Sequence, residues 1–162
     1  MTNSSAALPV VCASLAVAMV LRILPWPREW LVANPDWVLL FVVYWNLAIP
    51  DRFGIVAAWI TGLFTDALTG RMLGQHALAY TLVAFIDLRL HRQLRLSPLF
   101  QQSLMILLFH LLCQVLVFWT QNLRAANAAA TVHYWLPSLM GAFLWPATFL
   151  SLRRLRRSFH IG

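Results

Sequence analysis

Between Pro98 and Trp119 the chain runs for 22 residues without an Asp, Glu, Lys or Arg. Coiled as an α-helix at 1.5 Å per residue, that stretch is about 33 Å long, enough to cross the roughly 30 Å of hydrocarbon in a bilayer. The composition around it agrees: 61% of residues are hydrophobic and only 10% charged, where a soluble domain carries about 25% charged residues. Mean hydropathy is +0.73. At about 20 residues per crossing, 162 residues hold five or six spans with short connections and leave no room for a soluble domain.

The net charge of +7 comes from twelve arginines set at the ends of apolar segments. In a soluble protein such a charge would suggest nucleic acid; here it marks the membrane boundary, and no nucleic-acid partner is expected. Cys12 and Cys113 lie in apolar runs, where a thiol acts as a small hydrophobe and implies no disulfide framework. Leu8 to Leu21 has the length of a signal-peptide core, with Ala16-Val17-Ala18 as a cleavage-like triplet, but residues 1–7 contain no Lys or Arg. The segment is therefore expected to stay as an uncleaved first span.

The fold expected is all-α, a polytopic membrane helix bundle forming one transmembrane domain. Its spans fall at about 7–24, 36–50, 53–68, 72–88, 98–120 and 134–152, followed by a basic cytoplasmic tail over 153–162; five spans is the alternative. Pro25-Trp26-Pro27 closes the first span, since two prolines break a helix and a Trp suits the interface. Asn34-Pro35 precedes the second span and Pro50-Asp51-Arg52 ends it. The apolar part of that span is about 14 residues, roughly 21 Å, too short for an ordinary bilayer. Either its flanks extend the helix, or it is buried against neighbours where the membrane thins.

Arginines set the orientation, because Lys and Arg accumulate on the cytoplasmic side. With both termini inside, Arg52, Arg89, Arg92, Arg95, Arg153, Arg154, Arg156 and Arg157 are cytoplasmic, against Arg28, Arg71 and Arg124 outside. Arg22 lies near the end of the first span. Trp26, Trp30, Trp37, Trp45, Trp119, Trp135 and Trp145 sit toward span ends, where amphipathic rings favour the interface. The tail arginines 153, 154, 156 and 157 also form a polybasic patch that attracts anionic lipid.

One carboxylate interrupts the apolar middle of the chain. Asp66 follows Gly62 by four residues and precedes Thr69 by three, so all three share a helix face. An ionised group facing lipid costs at least about 2.5 kcal/mol, so this face turns to protein or water. Gly70 and Gly74 repeat the small-residue spacing that lets helices approach closely. Asp66 then has two readings. Either it belongs to a proton, ion or polar-ligand site with Gln75 and His76 near the turn, or it is a structural residue paired with Arg71, Arg22 or helix N-terminal amides. The structural reading is favoured, because Asp66 lies near the outer end of its span and a relay needs a second titratable group, for which only His76 and His110 qualify. His110 and Cys113 lack the third and fourth ligands zinc normally takes. No phosphate loop, metalloprotease helix or serine elbow occurs, so no catalytic set, metal or cofactor is expected.

In order along the chain, Pro25-Trp26-Pro27, Asn34-Pro35-Asp36-Trp37, Tyr44-Trp45, Pro50, Arg52, Gly62, Asp66, Gly70, Leu73-Gly74 and Leu144-Trp145-Pro146 together resemble the MreD family of bacterial rod shape-determining membrane proteins, of the proteobacterial type. The resemblance covers nearly the whole chain. It implies a non-enzymatic component of the bacterial inner membrane that supports lateral-wall peptidoglycan synthesis, with MreC as direct partner and with MreB, RodA and a class B penicillin-binding transpeptidase in a larger complex. It also implies a fold similar to the substrate-binding components of energy-coupling-factor transporters, although a shared fold does not carry transport with it. The family's recurrent positions fall on Pro35, Trp37, Pro50, Arg52, Gly62, Asp66, Gly70 and Gly74. The rival expectation is a small transporter or a lipid- or small-molecule-binding module using a polar site near Asp66.

Overall fold

A computed structural model describes residues 4–27, 33–123 and 132–159. Six α-helices fill them: α1 Ser4–Ile23, α2 Trp37–Ala48, α3 Gly54–Thr69, α4 Gln75–Leu96, α5 Leu99–Asn122 and α6 Leu136–Ser158, with a short 3₁₀ turn, Val132–Trp135, leading into the last. Local chemistry sets most of the boundaries. Asp36 accepts the Leu39 amide at 3.2 Å and so caps α2. The Gly70 backbone, at φ 62°, ends α3. Ser97 takes the extended conformation that a following proline imposes, which separates α4 from α5.

Helix directions alternate. The end of α1, start of α2, end of α3 and start of α4 meet through Arg22, Asp36, Asp66 and His76. At that same end, Gln75 of α4 reaches Thr120 near the end of α5, and Gln114 of α5 reaches Tyr134 before α6. The opposite end gathers the start of α1 and the ends of α2, α4 and α6.

The short α2 stands in the middle. Every residue from Val38 to Leu47 is buried, with α1, α3, α4 and α6 packed around it. Of the two expectations for the short second span, the structure gives burial against neighbours. Trp45 and Trp145 are fully buried rather than interfacial. Their indole N–H groups explain it: Trp45 donates to Ser14 on α1 at 2.9 Å and Trp145 to Gln102 on α5 at 3.1 Å, satisfying the polar handle inside the bundle. Gln102 also donates to the Leu94 and Ser97 carbonyls, fastening the α4–α5 corner.

Two helices outrun the spans expected from sequence. α4 continues eight residues past Leu88 and α6 six residues past Leu152, so Arg89, Arg92, Arg95, Arg153, Arg154, Arg156 and Arg157 sit on helices rather than in a loop and a tail. A charged helix end can extend into headgroups and water, because its own hydrogen bonds are internal and its arginines remain solvated. Arg28, Trp30 and Arg124 lie outside the described residues.

Candidate functional site

The densest polar chemistry is at the end where α3 turns into α4. Gly62 makes the turn compact: a Cβ there would lie 2.4 Å from the Ala77 Cα, so only glycine lets α3 and α4 approach this closely. One turn later Asp66, fully buried, aims its carboxylate at the start of α4. It accepts from Gly74 N at 2.8 Å, His76 N at 3.0 Å and Ala77 N at 3.4 Å. Gly74, at φ 105°, turns its N–H toward that carboxylate. Asp66 thereby caps a helix to which it does not belong, at the end where the helix dipole favours an anion.

The same carboxylate meets His76 Nδ1 at 2.6 Å, and the other ring nitrogen lies 2.9 Å from Arg22 Nη2. A guanidinium can only donate. His76 Nε2 must therefore accept, the single ring proton sits on Nδ1, and His76 is a neutral bridge rather than a cation. Arg22 turns its other arm to Asp36 at 2.5 Å, and the Tyr80 hydroxyl donates to both Asp36 oxygens at 2.8 Å. The chain of contacts runs Asp66, His76, Arg22, Asp36, Tyr80, and it ties α1, α2, α3 and α4 together. Two carboxylates share one guanidinium, Asp36 directly and Asp66 through His76, and the N-termini of α2 and α4 supply the remaining positive potential.

Of the partners expected for Asp66, the helix N-terminal amides are the ones found. Arg71 is exposed and is not among them, and Arg22 reaches Asp66 only through His76. The titratable neighbour that a polar site would need is present in His76. Thr69 bonds back to the Thr65 carbonyl at 2.7 Å. Gly70 and Gly74 do not form a helix-packing pair, as their spacing suggested; both have positive φ and shape the turn. Pro35 is buried beside the capping Asp36, and Trp37 donates its indole N–H to Asn34 at 2.8 Å. At the close of α1, Trp26 donates to the Leu21 carbonyl at 3.1 Å, flanked by exposed Pro25 and Pro27.

A cavity of about 720 Å³ opens beside this network, lined by Arg22, Asn34, Asp36, Thr69, Arg71, His76, Cys113, Gln114, His133 and Tyr134. Asp66 does not line it; four donors from Gly74 and the first turn of α4 saturate its carboxylate away from the opening. Gln114 donates to the Tyr134 carbonyl, takes the Ser138 hydroxyl, and its own carbonyl receives the Tyr134 hydroxyl, fixing the α5–α6 wall. His110 Nδ1 lies 3.0 Å from the Ile106 carbonyl. Among the described residues no group of three or more His, Cys, Asp or Glu is placed to hold a metal.

The opposite end is basic. Arg95, Arg153 and Arg156 line a smaller cavity of about 150 Å³ with Tyr44, Gln102 and Phe149, and Arg156 approaches the Ala48 carbonyl at 3.4 Å. Pro50 and exposed Arg52 lie in the α2–α3 turn at this end. Eight of the twelve arginines thus gather at the end that holds the start of α1 and the end of α6.

Polar groups inside and apolar groups outside define the class. Asn46, Asp66, His76, Asp87, Gln102, His110 and Ser138 are buried while Val56, Phe64, Leu73, Phe100 and Phe143 are exposed, the reverse of a soluble surface. The helices Leu99–Asn122 and His133–Ser158 are long and apolar enough to cross a membrane, and Ala7–Ile23, Trp37–Ala48 and Gly54–Thr69 are shorter apolar helices. This is an integral-membrane helix bundle. The sequence model of the family described as rod shape-determining protein MreD matches residues 5–155. The chain is also 33% identical over 145 residues, 87% of its length and 86% of the relative's, to the rod shape-determining protein MreD of Haemophilus influenzae. The chain belongs to the MreD family, whose role is in cell shape. No solved structure matches it, so the likeness to energy-coupling-factor components stays an expectation of the resemblance.

Sequence reasoning singled out Asp66 and missed Asp36, Tyr80, Asn46 and Asp87 as polar members of the bundle. The signal for both aspartates was the one that found Asp66: a carboxylate bordering an apolar run.

Proposed function

We propose that the chain is a non-enzymatic multi-pass adaptor of the bacterial inner membrane, supporting rod shape and lateral-wall peptidoglycan synthesis through association with MreC. One observation carries the structural side of this reading. The polar groups of Asp66, His76, Arg22, Asp36 and Tyr80 bond one another and the helix termini, as a frame does, whereas a catalytic carboxylate must keep oxygens turned toward substrate. Such a frame holds four helices in fixed register and presents their apolar outer faces to a partner's transmembrane helix. Both termini and the basic end face the cytoplasm by the arginine bias, on the side of MreB and of anionic headgroups, where Arg52, Arg89, Arg92 and Arg95 lie. RodA and a class B penicillin-binding transpeptidase join in a larger complex.

Detergent co-purification of tagged protein with MreC tests the reading. Recovery of MreC with the wild type, lost when the frame is broken by R22A, is the expected result. No recovery of MreC, together with normal rod shape after depletion of the chain, would sink it.

A second reading rests on the cavity of about 720 Å³, within the range of small-ligand sites: a module that binds a small polar molecule through Arg71, His133 and Tyr134. Native mass spectrometry of the purified protein decides it. A retained mass lost in R71A supports the module, and a ligand-free spectrum from gently solubilised membranes counts against it.

A further inference from the structure

Away from the outer network, one buried carboxylate has no hydrogen-bond partner among the described residues. Asp87 is fully buried in α4, twelve residues from its start and nine from its end, about 18 Å and 14 Å along the axis. Across the packed α2–α4 seam, the central helix α2 carries one other fully buried polar side chain of the same kind, the amide of Asn46. Neither Asp87 oxygen and neither polar atom of Asn46 has a hydrogen-bond partner. Four orphaned polar atoms thus belong to the two helices of the α2–α4 seam.

Among the described residues, the helices packed against α4 carry no Lys or Arg to compensate an ionised Asp87. The helices against α4 are α2, α3 and α5. α2 carries only Tyr44, α3 only Asp66 at its far end, and α5 only His110 and Cys113, as titratable or charged groups. On α4 itself, Arg89 comes two residues later on the opposite face, its guanidinium over the Phe85 ring at 4.6 Å. His91, one turn beyond Asp87, places Nδ1 2.6 Å from the Leu88 carbonyl. Asp66 and Asp36, by contrast, each meet donors.

Counting donors and acceptors separates the alternatives. A carboxylate offers two acceptors and no donor; the amide offers one acceptor and one NH₂. Ionised, Asp87 takes one amide hydrogen bond, leaves one oxygen bare, and repels the Asn46 oxygen. A monovalent or divalent cation would find three oxygens here, fewer than the six or more that hard cations take. A single proton resolves all four atoms: the Asp87 O–H donates to the Asn46 carbonyl oxygen, and the Asn46 N–H donates to the other Asp87 oxygen.

We infer that Asp87 and Asn46 form an internal proton-binding site, a neutral acid–amide pair with two reciprocal hydrogen bonds that locks α2 to α4. The bound species is a proton, and its loss puts an uncompensated charge between the two helices, so their packing is linked to protonation.

Infrared spectroscopy of the protein in bilayers, grown with carboxyl-¹³C aspartate, reads this directly. At neutral pH the wild type should show the carbonyl band of a protonated, hydrogen-bonded aspartic acid. The band should disappear in D87N and move to the higher frequency of an unbonded acid in N46L. D87N, whose amide can still pair with Asn46, should keep the wild-type melting midpoint, whereas D87A should lower it. A wild-type spectrum without a protonated aspartic band at neutral pH overturns the inference whether or not any variant folds. So does a band that survives in D87N, or one that vanishes when sodium replaces potassium.

Discussion

Replacing Asp66 by alanine removes the acceptor for the start of α4, and the cost can be built from the contacts. Gly74 N–H, His76 N–H and His76 Nδ1–H lose their partner in a place where the carboxylate itself is fully buried. An unsatisfied buried donor costs about 1–3 kcal/mol, so three cost about 3 kcal/mol at the low end. The low end is appropriate, because losing the carboxylate also removes its own desolvation, and the cavity nearby lets water reach His76. Against a total stability of about 5–15 kcal/mol, that is a large fraction. For a chain of this size 1 kcal/mol moves the melting midpoint by about 2–4 °C, so D66A should melt about 6–12 °C below wild type.

Two companions make the result specific. D66N keeps one acceptor oxygen but turns an NH₂ toward donors, and should fall between wild type and D66A. R71A removes an exposed cation with no place in the network and should stay within about 0.5 kcal/mol, as surface substitutions do. The assay is thermal unfolding of a fluorescent fusion in mild detergent, followed by size-exclusion chromatography. If D66A melts within about 2 °C of wild type, or R71A falls as far as D66A, Asp66 does not serve as the cap of α4.

R22A strips the cation from Asp36, a pair whose side chains are only 17% and 14% exposed, and should cost about 3–5 kcal/mol as broken buried pairs do; the R22A/D36N double variant should lose less than the two singles summed, read by the same melting assay. G62L pushes a side chain into the Ala77 backbone, where even a Cβ sits at 2.4 Å; overpacking of about 1–3 kcal/mol or more should lower the yield of folded monomer, while L63A at a half-buried neighbour should not. For topology, a green fluorescent protein fused after Ser158 should fluoresce and alkaline phosphatase there should be inactive. Alkaline phosphatase inserted in the turn after Arg71 should be active, and the opposite pattern would invert the orientation.

Helix existence was legible in the sequence because apolar runs ended at prolines and arginines, both with local physical effects. α4 was read too short for a local reason as well: Arg89 beside Leu88 looked like the start of a loop, whereas the helix continues with Arg89, Arg92 and Arg95 exposed. That boundary hid Asp87: a span ending at Leu88 leaves it one residue from the end, whereas it stands nine residues before the end of α4. The network was less legible because its bonds join residues far apart in sequence. Arg22 meets His76 across 54 positions and Tyr80 meets Asp36 across 44. Nothing periodic marks such pairs; only the packing of four helix ends brings them together. Asp66 itself was legible as a helix-terminus carboxylate, since its eight-residue distance to Gly74 spans one tight glycine turn.

The polar frame answers a problem particular to helices in lipid. Hydrocarbon is as apolar as leucine, so burial alone gives helices little reason to choose one neighbour or register over another. Close packing and directed hydrogen bonds have to make the choice. Gly62 supplies the first by bringing α3 against α4, and Asp66 the second by fitting only the N-terminus of α4 that the glycine turn delivers. Arg22 then selects α1 and α2 by bridging His76 to Asp36, and Trp145 and Gln102 fasten α5 to α6 toward the other end. This division of labour also places any ligand. Because Asp66 is saturated and turned away from the cavity of about 720 Å³, a bound molecule would touch Arg71, His133 and Tyr134 while Asp66 acts only through the α4 terminus. R71A should then alter ligand retention without lowering the melting midpoint, and D66A should lower both; the two substitutions separate the frame from the cavity.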